Sequence, residues 1–326
     1  MYKNNLYNKR KFLKILGLAS IGVGSFSAYN FLGKDLKQVK WTGEVLNNQA
    51  QLEIHSNDEA KNRFILSEID KKIIEFDNIF NLQNPKSEIS RLNEHKYLNN
   101  PSRHLVDVLK KSIMVSEKTN GLFDPTVQPL WDMYYKHFII DGYSKPPSED
   151  LIKQTTKLVN YKNISVDGKQ ITLINKSSIT LNGIAQGWIT DNITSIIKTN
   201  GIKNTLVDFG EMYALGKHNN SRAWNILVDN NDASKLINLS NKAIATSAGS
   251  GTSFEPTHSY HHIFNPKSGI SPNRFKAVSI LSDEAWLSDA LSTAAISMDK
   301  FSLEKICKEF GTEAYILEDS SFKKLV

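Results

Sequence analysis

The chain has 326 residues, 40 basic and 34 acidic side chains, a net charge of +6 and one cysteine. Residues 1–40 hold eight of the bases (Lys3, Lys9, Arg10, Lys11, Lys14, Lys34, Lys37, Lys40) and one acid, Asp35, so residues 41–326 carry −1. A basic balance that comes from one end gives no argument for nucleic acid, and one cysteine excludes an intrachain disulfide.

Lysines flank an apolar run over residues 15–32 that is rich in Gly, Ala and Ser. This is a charged region followed by a hydrophobic one, the layout of an export signal or an N-terminal membrane anchor. The run is long enough to span a bilayer only marginally. The expected address of residues 41–326 is the periplasm or the outer face of the cytoplasmic membrane, with membrane contact through the N-terminal segment. NKRKFLK is similar to a twin-arginine signal with Lys9 in place of the first arginine. Ser25-Phe26-Ser27 and Phe26-Ser27-Ala28 are weak matches to a cleavage site, and no cysteine lies nearby to carry a lipid.

Residues 41–326 show no linker, repeat or low-complexity tract and suit one large domain or two intimate lobes. Ala50, Leu52 and Ile54 alternate as in a strand within 45–55. Phe64, Ile65, Ile69, Ile73, Phe76 and Phe80 predict an amphipathic helix over 60–80. A second helix over 105–119 stops at Asn120-Gly121. Residues 171–174 and 179–181 predict two strands paired across an Asn-Lys-Ser-Ser turn. A helix over 189–199 stops at Asn200-Gly201, and 205–209, 224–228 and 277–281 are further strands. Ala290, Leu291, Ala294, Ala295 and Ile296 predict a mostly buried helix. Cys307 sits at helical spacing with Leu303 and Phe310, as a buried thiol does. Strands and helices interleave without a regular βαβ beat, which predicts an α+β fold of mixed β-sheets with packed helices.

Four stretches offer chemistry. Asp289 and Thr293 are spaced i, i+4, one turn apart on one helix face, and supply hard oxygen ligands that suit Mg²⁺. Alone, the pair is better read as a cap and a hydroxyl bonded back to a carbonyl. Residues 260–272, YHHIFNPKSGISP, put two histidines before a tight turn. On a strand His261 and His262 face opposite ways, so one of them at most serves a given pocket as acid or base. Phe123-Asp124-Pro125-Thr126 is a rigid turn. Gly183 and Gly187, inside TLNGIAQGW, let backbone approach a ligand and leave a helix N-terminus facing an anion.

Taken in order, SEISRLN (87–93), GLFDPTVQPLW (121–131), TLNGIAQGWITD (180–191), LVDFGEMYALG (206–216), ATSAG (245–249) and YHHIFNPKSG followed by SDALSTA resemble the ApbE family of FAD:protein FMN transferases. The resemblance runs over about residues 41–298. It implies FAD as substrate, and Mg²⁺ held by Asp289, Thr293 and the Gly183 carbonyl. Trp41, Leu122, Phe123, Asp124, Thr180, Gln186 and Ile263 fall at flavin-nucleotide positions, and ATSAG offers hydroxyl and amide donors to the flavin side. His262 is the implied base for a Thr or Ser hydroxyl of an acceptor flavoprotein, an electron-transfer subunit, with His261 the alternative. The hydroxyl would take FMN as a phosphodiester and AMP would leave.

Thr180 and Gln186 are neutral where many members have Asp and Lys or Glu. Glu211 replaces a common second glycine after Asp208, and Asn265 stands where Asp is frequent. Two other functions fit the same residues: an FAD pyrophosphatase in which water replaces the acceptor, and a flavin-binding accessory protein for a periplasmic reductase. The stretches LVDFGEMYALG and VQPLWDMY are similar to exported relatives associated with nitrous oxide reductase maturation, which keeps the accessory role open, while Asp289, Thr293 and His262 argue for turnover.

Overall fold

The computed structural model describes residues 36–230 and 233–326. The expectations for residues 1–35 lie outside the described residues. Strand β1 (Gln38–Val45) pairs with β2 (Asn48–His55) across a two-residue turn in which Leu46 and Asn47 take φ of 50° and 62°. Positive φ at both positions matches the right-handed twist of a hairpin. Because β1 starts at Gln38, the folded domain takes in the last three residues of the stretch read as a leader.

The hairpin opens an eight-stranded sheet in the order β1-β2-β6-β7-β10-β11-β12-β13. Its further members are β6 (Thr205–Asp208), β7 (Met212–Leu215), β10 (Lys242–Ser247), β11 (Ala277–Ser282), β12 (Glu313–Glu318) and β13 (Ser321–Lys324). Alternate residues serve opposite faces, as the period of two requires. Val207, Val278, Ile280 and Ile316 join the main core with the helices, while Leu206, Ala277, Leu281 and Leu317 join a second cluster. That second cluster is capped by a hairpin of β8 (Trp224–Asn230) and β9 (Ala233–Leu239), through Trp224, Ile226, Val228, Ile237 and Leu239.

On the helical side lie α1 (Glu59–Phe80), α2 (Glu88–His95), α3 (Arg103–Lys118), α6 (Ala185–Thr199), α7 (Ala285–Ala295) and α8 (Lys300–Phe310). Helix α7 is buried almost all round. It packs on β10, β11 and α6, which its small residues allow. A third cluster joins α4 (Gln128–Tyr135), a π-helical turn (Lys136–Ile140) and α5 (Glu149–Thr156) to the loop around 254–264, through Leu130, Tyr134, Phe138, Ile152, Phe254 and Phe264.

The α+β class holds, with one change of detail: every strand pairing among the described residues is antiparallel, so the sheets are not of mixed direction. The expected strand over 179–181 does not form. Strand β5 (Gln170–Leu173) has both edges taken, by β3 (Tyr97–Asn99) and β4 (Ile164–Val166). Ile179 finds a side chain instead: its N–H donates to Asn93 Oδ1 (2.7 Å) and its carbonyl accepts from Asn93 Nδ2 (2.8 Å). Cys307 is fully buried, as its helical spacing required, and burial pushes its thiol pKa up.

Candidate active site

Helices α6 and α7 meet through glycine. A Cβ on Gly187 would run into the Ala285 carbonyl, so only glycine permits the approach. The Gly187 N–H then donates to Asp289 Oδ2 at 3.1 Å, and Asp289 is 3% exposed. One turn on, Thr293 lies against Gly183: a Cβ there would stand 2.9 Å from Thr293 Oγ1. Ser247, at the end of β10, places its Oγ 3.4 Å from Thr293 Oγ1 and 2.8 Å from Ser292 Oγ. A carboxylate, a hydroxyl and a glycine backbone thus meet at one place, with a second hydroxyl beside them. Such an all-oxygen set suits Mg²⁺.

A second acid braces this wall. Asp191 of α6 accepts the N–H groups of Ala285 (2.8 Å) and Trp286 (2.9 Å) and so caps the start of α7. Burial outweighs those two bonds and lifts its carboxyl to about 7. Asp208 is also lifted by burial, to about 6, against bonds from Gln51 Nε2 (3.2 Å) and the Gly210 N–H (3.3 Å). Gly210 has φ of +102°, and a Cβ there would strike the Gln186 amide, so the VDFG turn rests on the first turn of α6. Trp41 reaches the same turn. Its ring lies 5.4 Å from Phe209, and its indole N–H donates to Asp70 Oδ1 at 3.0 Å.

The histidines sit in an irregular loop, not on the strand expected for them; a single bridge joins His261 to Ser253. Each ring is placed instead by its own hydrogen bonds. His261 is 1% exposed, and Gly249 lies so close that a Cβ would stand 2.5 Å from the ring. Its Nε2 meets the Pro272 carbonyl at 3.0 Å while its Nδ1 accepts the Ile263 N–H at 3.3 Å. Both nitrogens are therefore used within the chain, and burial lowers the pKa, holding the ring neutral. His262 is half-exposed; its Nδ1 faces the Thr252 carbonyl at 3.1 Å, and its backbone N–H donates to the same oxygen at 3.0 Å. With the proton on Nδ1, the neutral ring carries its basic lone pair on Nε2.

One short run links the two halves. Ser247 touches Thr293, Gly249 seats His261, and Thr252 orients His262.

The remaining sequence-derived residues divide. Asp124 spends its carboxylate inside the chain, accepting Thr126 N–H (2.8 Å) and Oγ1–H (2.6 Å) and the Tyr161 N–H (2.8 Å). Thr180 N–H donates to the Pro125 carbonyl at 2.8 Å, which ties the FDP turn to the TLNG turn. The side chains of Phe123 and Ile263 are buried in the main core, Gln186 is buried at 2%, and Leu122 packs partly buried against the core. Residues 183, 186, 187, 289 and 293 are thus one contact group, with Trp41 joined to it through Phe209 and Gly210.

Sequence reading missed two features. Asp191, the one acid of α6, was a usable signal. The other is Glu53, His55 and His218, whose ligand atoms lie within 4.8 Å of one another. This group does not suit a metal. His55 Nδ1 accepts the Asn219 N–H (2.9 Å), so the ring proton sits on Nε2, 2.6 Å from Glu53 Oε1, where a metal would need the lone pair. Glu53 and His55, two apart on a strand, were visible as a pair; His218 comes from a distant loop.

The chain belongs to the ApbE family, whose sequence model matches residues 46–316. It is similar to the FAD:protein FMN transferase of Vibrio cholerae, 26% identical over 257 residues, covering 73% of this chain and 75% of that protein. The FAD:protein FMN transferase of Chlamydia trachomatis is 30% identical over 244 residues, 70% of this chain and 73% of that protein. Among solved structures, the flavin transferase ApbE of Vibrio cholerae superposes with a TM-score of 0.76 at 21% identity, over 89% of this chain and 96% of that one. The apo flavinyl transferase ApbE of Pseudomonas stutzeri gives 0.75 at 21% identity, over 89% and 94%. At such identities the structures establish the fold.

Proposed function

We propose that this chain moves FMN from FAD to a Thr or Ser hydroxyl of an acceptor flavoprotein and releases AMP. The observation that carries the reading is the run from Ser247 to Thr252, which joins the oxygen-donor wall to the loop that holds His262. Asp289, Thr293 and the Gly183 carbonyl would hold Mg²⁺, which when bound offsets negative charge on the FAD pyrophosphate. His262 Nε2 takes the proton of the acceptor hydroxyl as its oxygen bonds to the FMN phosphorus. The bond from that phosphorus to the AMP oxygen breaks, and AMP leaves with the electron pair. The Thr252 carbonyl holds the ring in the tautomer this needs. Such base help is worth about 10²–10⁴-fold, so positioning and charge stabilisation supply the remainder. Export of residues 41–326, with the apolar run over 15–32 as signal or anchor, completes the proposal.

The test is to incubate purified protein with FAD and Mg²⁺, with and without an acceptor peptide. AMP released only with acceptor supports transfer. AMP without acceptor means hydrolysis by water at the same site, and no AMP in either case leaves a flavin-binding role.

A further inference from the structure

The described chain begins at a corner beside the C-terminal end of α6. The Leu36 N–H donates to Asn219 Oδ1 (3.0 Å), the Lys37 N–H to Asn57 Oδ1 (2.9 Å), and the Lys37 carbonyl accepts from the Ser56 N–H (3.0 Å). Three segments build the rest of this corner: the first turn of α1, the turn after α6, and the loop between β7 and β8. His55 N–H donates to the Asn204 carbonyl (3.0 Å), and Lys217 N–H to Asn204 Oδ1 (2.9 Å). A Cβ on Gly201 would come within 3.8 Å of Lys61 Nζ, so α1 reaches across to the α6 turn.

Charge is uneven here. Of the acids at the corner, Glu59 pairs with Lys37 (2.7 Å) and Arg63 (4.0 Å), and Asp58 with Lys61 (3.6 Å), while Glu53 lies beside the neutral ring of His55 (2.6 Å) and keeps its charge. Lys198, Lys203, Lys217 and Arg222 are exposed and have no ion pair among the described residues. Four exposed bases against that one acid leave a surplus of three on a body whose residues 41–326 total −1. Phe64, one turn on from Lys61, adds an aromatic ring that is 55% exposed.

We infer that this corner is a docking surface for anionic lipid headgroups and faces the membrane. The inference rests on reading residues 15–32 as a retained anchor. The apolar run ends at Leu32, four residues before Leu36, and four residues span at most about 14 Å. A retained anchor therefore holds the surplus bases close to the headgroup layer, where the screening length is about 8 Å. Each basic side chain near such a surface favours binding by about fivefold. Phe64 suits the interface, where aromatic rings are enriched. Helix α6 runs from this corner to the oxygen-donor wall, and the eleven residues from Lys198 to Gly187 span about 16 Å, which sets the site back from the bilayer.

The experiment uses the full chain with vesicles of phosphatidylcholine alone or mixed with phosphatidylglycerol, and follows vesicle association and amide hydrogen exchange over residues 198–222. Exchange should slow only with phosphatidylglycerol. The slowing should vanish at about 1 M salt, where the screening length is about 3 Å, and in the combined Lys198→Glu, Lys203→Glu, Lys217→Glu, Arg222→Glu variant. A Gln series at the same four positions should show a graded loss, and FMN transfer in detergent should be unchanged in both series. Equal exchange on the two lipids by a vesicle-bound chain overturns the docking surface and leaves the anchor. Binding to anionic vesicles alone, through the four bases, keeps the surface and removes the anchor. No binding to either, or slowing by an acidic polypeptide but not by vesicles, overturns the surface.

Discussion

The oxygen-donor wall and the histidine loop are built in opposite ways. Asp289 and Gly187 are fixed by two helices in near contact, with backbone N–H groups aimed at Asp289, which is nearly dry, and at the partly buried Asp191. His262 hangs on a loop, half-exposed, with its Nδ1 at the Thr252 carbonyl. A wall that must neutralise charge gains from a dry, preorganised setting, because its donors need not reorganise during the reaction. A base that must meet a hydroxyl on a second protein has to stay reachable. Within the loop, His261 supplies the rigidity and His262 the access.

The sharpest way to break this comparison is at Asp289. Asp289→Ala should lower Mg²⁺-dependent transfer by at least about 10³-fold, since charge stabilisation of this kind is worth several kcal/mol. Unfolding should remain cooperative. Wild-type turnover of the variant at limiting Mg²⁺ would move the metal elsewhere.

Asp191 tests whether the wall is braced as described. Its carboxyl is lifted from the ordinary aspartate value to about 7, so the folded state holds that proton more tightly than the unfolded one. The stabilisation is full below about pH 4 and is lost as pH rises towards 7. Asp191→Asn lacks this dependence. Its stability relative to wild type should therefore rise across that window by up to about 4 kcal/mol. Denaturant unfolding of both proteins at pH 4 and pH 7.5 measures the difference, and a flat difference refutes the brace.

On the other side, His262→Ala should cost about 10²-fold or more in turnover, with FAD affinity changed far less. The wild-type rate should climb with pH as the ring loses its proton, and the variant should lose that limb. His261→Asn should act through stability instead, because both of its ring nitrogens serve the chain. Normal transfer by the His262 variant together with failure of a well-folded His261 variant would invert the assignment.

The sequence made the wall more legible than the loop, for a physical reason. Asp289 and Thr293 share a helix, so their spacing alone put them on one face. Gly183 and Gly187 could be suspected because a strand-to-helix junction with two glycines invites a close approach, but its partners, Thr293 and Ala285, lie about 100 residues on. The histidines were placed on a strand that does not form, because a tyrosine and a β-prone pair flag extended backbone but nothing local showed a loop held by a single bridge. The missing strand over 179–181 failed likewise: apolar residues flagged extended backbone, but nothing local showed that Asn93 would bind both its backbone groups. Asp124 resembled a ligand residue by motif, yet its carboxylate is engaged by Thr126 and Tyr161.

The smallest expected effect separates the two regions most finely. Ser247 belongs to the run that joins them, and its hydroxyl meets Ser292 Oγ at 2.8 Å and Thr293 Oγ1 at 3.4 Å. The shorter bond orients the hydroxyl, and the longer one lets it steady Thr293 without replacing it. Removing one such bond costs about 1 kcal/mol, or roughly fivefold. Ser247→Ala should therefore raise the Mg²⁺ concentration for half-maximal transfer by about fivefold. It should leave the pH limb assigned to His262 in place, because Thr252, and not Ser247, orients that ring. The measurement is a Mg²⁺ titration at two pH values, one on each side of the limb. If the Mg²⁺ requirement stays the same and the pH limb shifts, Ser247 serves the base, and the division between rigid wall and accessible loop lies on the other side of β10.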